Sequence, residues 1–337
     1  MKSARILWAD SLKGLLIMLV IAGHTIQLFL GDECYSNHLW NLIYSFHMPA
    51  FFAISGWLAW SINKQPSNEW GGVKRYLKKR GKQLLIPYFA WSFIEFIVQQ
   101  KYTLERFVFI VYNPDSYYWF LWVLFWICII LKLIQYASVR FKCNDLFLIL
   151  FTSIVLLIAI VVLNLRCFGF QFIAYYFFFY ILGYILHKYD IEISKYPYVS
   201  AIILLAWGFL AWNWNMQSLP QWFPVLPILP ASLLLFIYRG VTAILAILLL
   251  LSYAKKICNV GNRVNLIVCS FGTMSMGVYT FHVLVIEILK VYIDFNESSG
   301  NMWIIMLPFF LILTIISYYA VRLISKQTIL SKLLLGK

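Results

Sequence analysis

Asp10, Lys13, His24 and Gln27 lie at helical spacing in and just before the first strongly apolar stretch of the chain. Eleven residues at about 100° each make three turns and about 20°, so Lys13 and His24 share one helix face, about 16 Å apart. Asp10 and Gln27 fall near the same face. Ionisable groups at membrane depth are costly and usually face a bundle interior or a wet cavity. His24 is therefore a candidate functional residue.

Two more histidines lie within apolar stretches. His47 belongs to SFHMPAFFAISGW and His282 ends GTMSMGVYTFH. Pro49 can kink the helix and free backbone carbonyls, so a hydrogen bond to such a carbonyl is the structural alternative for His47. Gly56 in the same motif allows close helix packing. For His282, packing and function are equally open.

Depth along the helices groups these residues. At about 1.5 Å per residue, His24 and His47 both sit roughly 10 Å below the outer surface, so we expect their imidazoles to face each other. Glu95, Arg239 and Glu287 also fall in the outer halves of apolar stretches. Arg239 remains charged, and an ion pair with one of the two glutamates is its structural alternative.

The composition sets the class of protein. Of the 337 residues, 63% are hydrophobic and only 12% are charged, against about 25% charged in soluble domains. The chain is therefore a polytopic, all-α membrane protein. The six Cys are scattered without a CxxC or zinc pattern, so we expect no disulfide framework and no metal site. The net charge of +14 reflects basic cytoplasmic loops, and no nucleic-acid partner is expected.

About ten stretches have membrane length, and we expect them to form one transmembrane domain over residues 1–337 with no appended soluble domain. Lys and Arg alternate between the loops as expected for cytoplasmic N- and C-termini in a multi-pass protein of the inner (plasma) membrane. Arg239 interrupts the eighth stretch, where two half-spans are an alternative. The proline-rich segment 216–230 cannot form a regular helix. The stretches run near 12–30, 40–62, 83–100, 117–136, 146–164, 170–187, 198–214, 232–253, 271–292 and 303–325.

The cytoplasmic border collects positive charge. Asp10, Lys13 and Arg80 lie there, beside a predicted loop over 63–82 that ends in KRYLKKRGK and includes Lys78 and Lys79. Such a border would attract an anion. For most of the basic run, a topology signal or a contact with anionic membrane lipids is the simpler interpretation. Lys13 could equally snorkel to the interface.

Several of these motifs resemble those of the acyltransferase 3 family of integral membrane O-acyltransferases. ADSLKGLLIMLVIAGH is similar to the family's opening helix, in which a basic residue precedes His by eleven positions, here Lys13 and His24. Lys in place of the more usual Arg resembles the branch of fucose 4-O-acetylases. The remaining similar motifs are FHMPAFFAISGW, KKRGKQLLIPY, YYWFLWVLF and FGTMSMGVYTFH.

The resemblance implies transfer of an acetyl group from cytoplasmic acetyl-CoA, a substrate and not a permanently bound cofactor, to a hydroxyl of an extracytoplasmic or lipid-linked carbohydrate. Lys13, Arg80, Lys78 and Lys79 would hold the donor phosphates. His24 would act as general base or transient nucleophile, His47 or Arg239 would stabilise the oxyanion, and Asp10 would orient Lys13. Glu95, Glu287 and His282 are further candidate pocket residues. The alternatives are a transporter or export channel for a glycan or small solute, and a structural partner in polysaccharide assembly.

Overall fold

A computed structural model describes residues 6–62, 69–99, 103–112, 118–161, 163–165, 167–223, 230–258, 263–292 and 302–337. These residues form helices and connecting turns with no strand among them, which confirms the all-α class. The helices are α1 Leu7–Leu30, α2 His38–Tyr44, α3 His47–Ile62, α4 Trp70–Arg80, α5 Ile86–Val98, α6 Leu104–Tyr112, α7 Trp119–Phe141, α8 Asp145–Val161, α9 Phe170–Lys188, α10 Pro197–Trp212, α11 Ala231–Ile257, α12 Arg263–Thr273, α13 Ser275–Tyr292, α14 Met302–Ile324 and α15 Thr328–Leu335.

Within the described ranges, seven helical segments are long and apolar enough to cross a membrane. Two shorter apolar helices, α8 and α10, coincide with the predicted fifth and seventh stretches. Helix α5 coincides with the third and is continuous with α4 through a π-helical stretch at Gly81–Leu85. Membrane character is thus confirmed, while the count of ten spans and the cytoplasmic termini stay predictions.

Local structure departs from the sequence prediction at three places. The predicted loop over 63–82 is wrong for Trp70–Arg80, which forms α4; residues 63–68 lie outside the described ranges. The second stretch breaks into α2 and α3 immediately before His47. Arg239 does not divide the eighth stretch, because α11 is continuous through it. The predicted irregular segment is non-helical over 216–223, and residues 224–229 fall outside the description.

Helix α1 lies at the centre of the bundle, in contact with α3, α11, α12, α13 and α14. Its approach to α12 depends on two glycines. A Cβ on Gly14 would lie 2.0 Å from the carbonyl oxygen of Val268, and one on Gly272 would lie 1.6 Å from that of Asp10. Only hydrogen fits at either position, so the two backbones are in direct contact. This contact fixes the helix that carries Asp10, Lys13 and His24.

Helices α3 and α9 approach each other in the same way. A Cβ on Gly56 would lie 1.8 Å from the Tyr180 carbonyl oxygen, and one on Gly183 would lie 1.9 Å from that of Ala53. The structure therefore confirms the close packing that Gly56 predicts. Small residues that let helix backbones meet are a common means of association in membranes, where apolar burial gives little net driving force.

Candidate active site

The imidazoles of His24 on α1 and His282 on α13 are hydrogen-bonded to each other. His24 Nδ1 lies 2.9 Å from His282 Nε2, and the rings stack with their centroids 5.1 Å apart. His282 is fully buried. His282 Nδ1 is in turn 2.9 Å from the carbonyl oxygen of Val278, one turn earlier on α13. Consecutive hydrogen bonds thus link His24 to His282 and His282 to the backbone.

These hydrogen bonds select the tautomers of both neutral rings. A carbonyl oxygen can only accept, so His282 Nδ1 carries hydrogen and donates to Val278. Its Nε2 then has a lone pair and accepts the Nδ1–H of His24. In the neutral state, His24 is left with its lone pair on Nε2, the atom that a general base or a nucleophile would use.

A small cleft, with a volume of about 20 Å³, lies beside this pair. Its lining is half apolar and half polar. Gln27, one turn after His24 on the predicted stripe, contributes an amide. Lys290 contributes a cation that sequence reasoning did not place in a site. The lining residues are His24, Gln27, Leu28, Val283, Ile286 and Lys290.

His47 is buried beneath the aromatic ring of Tyr44. Its Nδ1 is 2.7 Å from the Ile43 carbonyl oxygen, and the His47 and Tyr44 rings meet edge to face at 4.7 Å. The Tyr44 hydroxyl lies 3.3 Å from Gln27 Oε1, which connects His47 with the polar stripe. His24 thus forms its hydrogen bond with His282, whereas His47 bonds a backbone carbonyl of α2, which is the structural alternative given for His47.

The two predicted glutamates are brought together by a residue that the sequence did not single out. Gln99 Nε2 donates to Glu95 Oε1 at 3.2 Å and to Glu287 Oε2 at 2.7 Å. Glu287 also pairs with Lys290 at 3.1 Å. This network joins α5 to α13 and reaches the cleft through Lys290. Gln99 carries no signal in the sequence beyond its place near the end of an apolar stretch.

The ion pair with Glu95 or Glu287, the structural alternative for Arg239, is not found among the described residues. Its guanidinium carbon lies 5.6 Å from the ring centroid of Trp214 and 5.9 Å from that of Tyr175. Its Nε is buried without a hydrogen-bond partner among the described residues. Aromatic faces attract a desolvated guanidinium. These rings, from α9 and the turn after α10, explain how a charge is accommodated in α11.

Asp10 and Lys13 form an ion pair at 2.6 Å, one turn apart on α1. Both side chains are largely buried, with 13% and 23% of their surface exposed. The contact agrees with the expectation that Asp10 orients Lys13. The structure confirms that α1 is one uninterrupted helix, so Lys13 and His24 are held on a single rigid element.

Among the basic residues of α4, Arg80 points inward. Arg80 Nε donates to the Tyr76 hydroxyl at 3.2 Å and Nη1 donates to Gln83 Oε1 at 3.2 Å. Lys78 and Lys79 are exposed. Lys132 of α7 lies over the Tyr76 ring, with Nζ 5.6 Å from the centroid. We refer to Tyr76, Arg80 and Lys132 as the Tyr76 cluster. Sequence analysis missed Lys132, although one cation in an otherwise apolar stretch was a visible signal.

Within the described ranges, no group of three or more His, Cys, Asp or Glu side chains is placed to hold a metal ion. The roles predicted for the individual residues stay predictions. What the structure establishes is a fixed imidazole pair at a cleft and, separately, a cationic cluster on α4 and α7.

The chain is similar in sequence to known proteins. Two proteins named nodulation protein NolL are similar to part of the chain: one from Sinorhizobium fredii (40% identity over 24% of this chain and 22% of that protein) and one from Mesorhizobium japonicum (31% identity over 34% and 32%). The matched regions thus span a third or less of these relatives. No solved structure matches the chain. The model of the acyltransferase 3 family, described as an acyltransferase domain, matches residues 6–322, and the chain therefore belongs to that family.

Proposed function

We propose that this protein is a membrane O-acetyltransferase that moves an acetyl group from cytoplasmic acetyl-CoA to a hydroxyl of an extracytoplasmic carbohydrate. The observation that carries the proposal is the hydrogen bond from His24 to His282, because it directs the basic lone pair of His24 to Nε2. Family membership supports acyl transfer as the reaction class. The acetyl donor and the carbohydrate acceptor come from the resemblance of the sequence motifs.

In the proposed reaction, the acceptor hydroxyl attacks the thioester carbonyl while His24 Nε2 takes the hydroxyl proton. The C–S bond breaks, the coenzyme A thiolate leaves, and the proton on Nε2 passes to it. The imidazolium that forms on His24 is stabilised by His282 Nε2, which accepts the Nδ1–H. His282 is thus a positioning residue, comparable to the group that orients the histidine in hydrolase triads.

Charge distribution supports a donor entering from the cytoplasm. Helix α4 carries Lys74, Arg75, Lys78, Lys79 and Arg80, and such clusters face the cytoplasm in inner-membrane proteins. The donor carries several phosphate charges, which Arg80 and Lys13 would hold, with Lys78 and Lys79 attracting it. The acceptor would then meet the thioester at the cleft beside His24, arriving from the opposite side or from a lipid-linked intermediate.

The test is an acetyl-transfer assay with the full chain in lipid nanodiscs, radiolabelled acetyl-CoA and a panel of glycans. We expect label to move to a glycan with wild-type protein and not with His24→Ala. His38→Ala is the matched control, because His38 is exposed, stacks on Trp212 at 5.3 Å and should leave transfer unchanged. A fully active His24→Ala would refute the mechanism. Transport of glycan without consumption of thioester would favour the transporter.

A further inference from the structure

Lys132 is a buried cation without an acidic partner in the described part of the chain. Only 7% of its surface is exposed, and it lies well inside α7, which runs Trp119–Phe141. Among the described residues, its cation–π partner is Tyr76, whose ring centre lies 5.6 Å from Lys132 Nζ. Lysines are seldom this buried unless paired, since an uncompensated buried charge is costly.

A second cation faces the same ring. Arg80 Cζ lies 5.3 Å from the Tyr76 centroid, and its hydrogen bonds go to Tyr76 and Gln83, which are neutral. The phenol ring therefore has two cationic groups within 6 Å of its centre. A cation–π contact offsets only part of the cost of desolvating a charge. The cluster carries two positive charges and no negative one.

The acid at the start of α8, Asp145, is already paired. Asp145 binds Lys188 at 2.5 Å and the Tyr184 hydroxyl at 3.4 Å. Gln135, one turn from Lys132 and 3% exposed, donates to Tyr184 at 3.5 Å. Its Oε1 is buried without a partner among the described residues. Asp145 thus balances Lys188 and leaves Lys132 and Arg80 uncompensated.

We propose that Lys132 and Arg80 together bind a phosphate-bearing anion beside Tyr76, between α4 and α7. The proposal rests on the proposed function in one respect: the phosphates of the acetyl-CoA donor are the expected occupant. The headgroup of an anionic phospholipid has the same chemistry and is the other source. Arg80 supplies a planar fork for phosphate oxygens, and Lys132 supplies a point charge.

The experiment compares wild type with Lys132→Met, which keeps the length of the side chain and removes its charge. Full-length protein is placed in phosphatidylcholine nanodiscs, and the Kd of radiolabelled acetyl-CoA is measured with inorganic pyrophosphate as competitor. We expect Lys132→Met to weaken acetyl-CoA binding by about 10-fold or more, as for loss of one charge-assisted contact. Pyrophosphate should displace label from wild type at concentrations that fail with the variant. Lys132→Arg should restore binding.

The control is Lys326→Met, an equal loss of charge at an exposed position, which should keep the wild-type Kd. Nanodiscs that contain phosphatidylglycerol test the second source. If this lipid raises the Tm of wild type but not that of Lys132→Met, and both proteins bind acetyl-CoA with equal affinity, the site binds a lipid headgroup. Equal Kd, equal displacement and equal Tm response would overturn the proposal. If Lys132→Met is unchanged in these three measurements and still transfers acetyl groups, the proposed function is unaffected. Pyrophosphate binding that needs Lys132, without any transfer, would leave only the anion site.

Discussion

The imidazole pair and the Tyr76 cluster treat buried polar groups in opposite ways. Each nitrogen that links His24 and His282 has an assigned donor or acceptor role, and the hydrogen bonds end on the Val278 carbonyl. The Tyr76 cluster instead holds Arg80 and Lys132 against one neutral ring. The first region is complete within the protein. The second holds two cations without an acidic partner among the described residues, and the proposed anion would balance them.

This difference assigns separate tasks to the two regions. A preorganised base needs its tautomer fixed before the substrate arrives, because reorganisation during the reaction would raise the barrier. A binding site for an anion gains affinity from charge that is uncompensated in the ligand-free state. Substitutions in the imidazole pair should therefore change turnover, and those in the Tyr76 cluster should change donor affinity. The following predictions test that division.

The largest effect is expected from His24→Ala. Loss of a general base lowers kcat by about 10²–10⁴-fold, while acetyl-CoA should bind with a Kd within about threefold of wild type, since an affinity change of that size is below 1 kcal/mol. Turnover and equilibrium binding on the same preparation check this. A large loss of acetyl-CoA affinity in His24→Ala would show that the two tasks are not separate.

Substitution of His282 should lower kcat less than substitution of His24. The size of the loss should depend on whether the new side chain can accept the hydrogen bond from His24. His282→Leu removes the acceptor for His24 Nδ1–H and should lower kcat by about 10–100-fold, as for loss of a buried hydrogen bond to a developing charge. His282→Gln keeps a carbonyl acceptor and should recover part of the rate. Equal activities of the two variants would indicate that His282 serves packing alone.

Lys13 and Lys132 provide a direct contrast in the ligand-free protein. Lys13→Met leaves the largely buried Asp10 without its lysine. We expect the free energy of unfolding to fall by about 1–3 kcal/mol, after allowing for partial exposure, and the Tm to fall with it. Lys132→Met removes an uncompensated buried charge, so the ligand-free Tm should stay equal or rise. Thermal unfolding without donor or anionic lipid measures both. A lower Tm in Lys132→Met would point to a counter-charge within the protein.

Sequence reasoning predicted the helical class, the placement of most apolar helices, and the continuous helix that carries Lys13 and His24. It succeeded there because membrane burial demands long apolar runs, and because the spacing of polar residues along one helix depends only on helical geometry. The Asp10–Lys13 contact followed for the same reason, as both residues lie one turn apart.

The sequence did not predict which side chains meet between helices. The distance from His24 to His282 depends on how α1 packs against α12 and α13, and that packing depends on Gly14 and Gly272 meeting backbone carbonyls of the partner helix. Depth alone suggested His47 as the partner of His24, but depth does not report which faces meet. Lys132 was not predicted, because the basic run of α4 is the stronger charge signal in the sequence, although its Lys78 and Lys79 are exposed.

The smallest effect is expected from Lys290→Met, at the edge of the cleft beside His24. Lys290 keeps 41% of its side chain exposed, and ion pairs with an exposed partner contribute about 0–1 kcal/mol. Glu287 would also retain the hydrogen bond from Gln99. The Asp10 carboxylate, in contrast, has no second hydrogen bond or ion pair within the described residues that could replace Lys13. Thermal unfolding should therefore place Lys290→Met close to wild type and above Lys13→Met. A Tm below that of Lys13→Met would mean that the carboxylates near the cleft need the positive charge of Lys290. The region of the imidazole pair would then depend on a single cation, as we propose for the Tyr76 cluster.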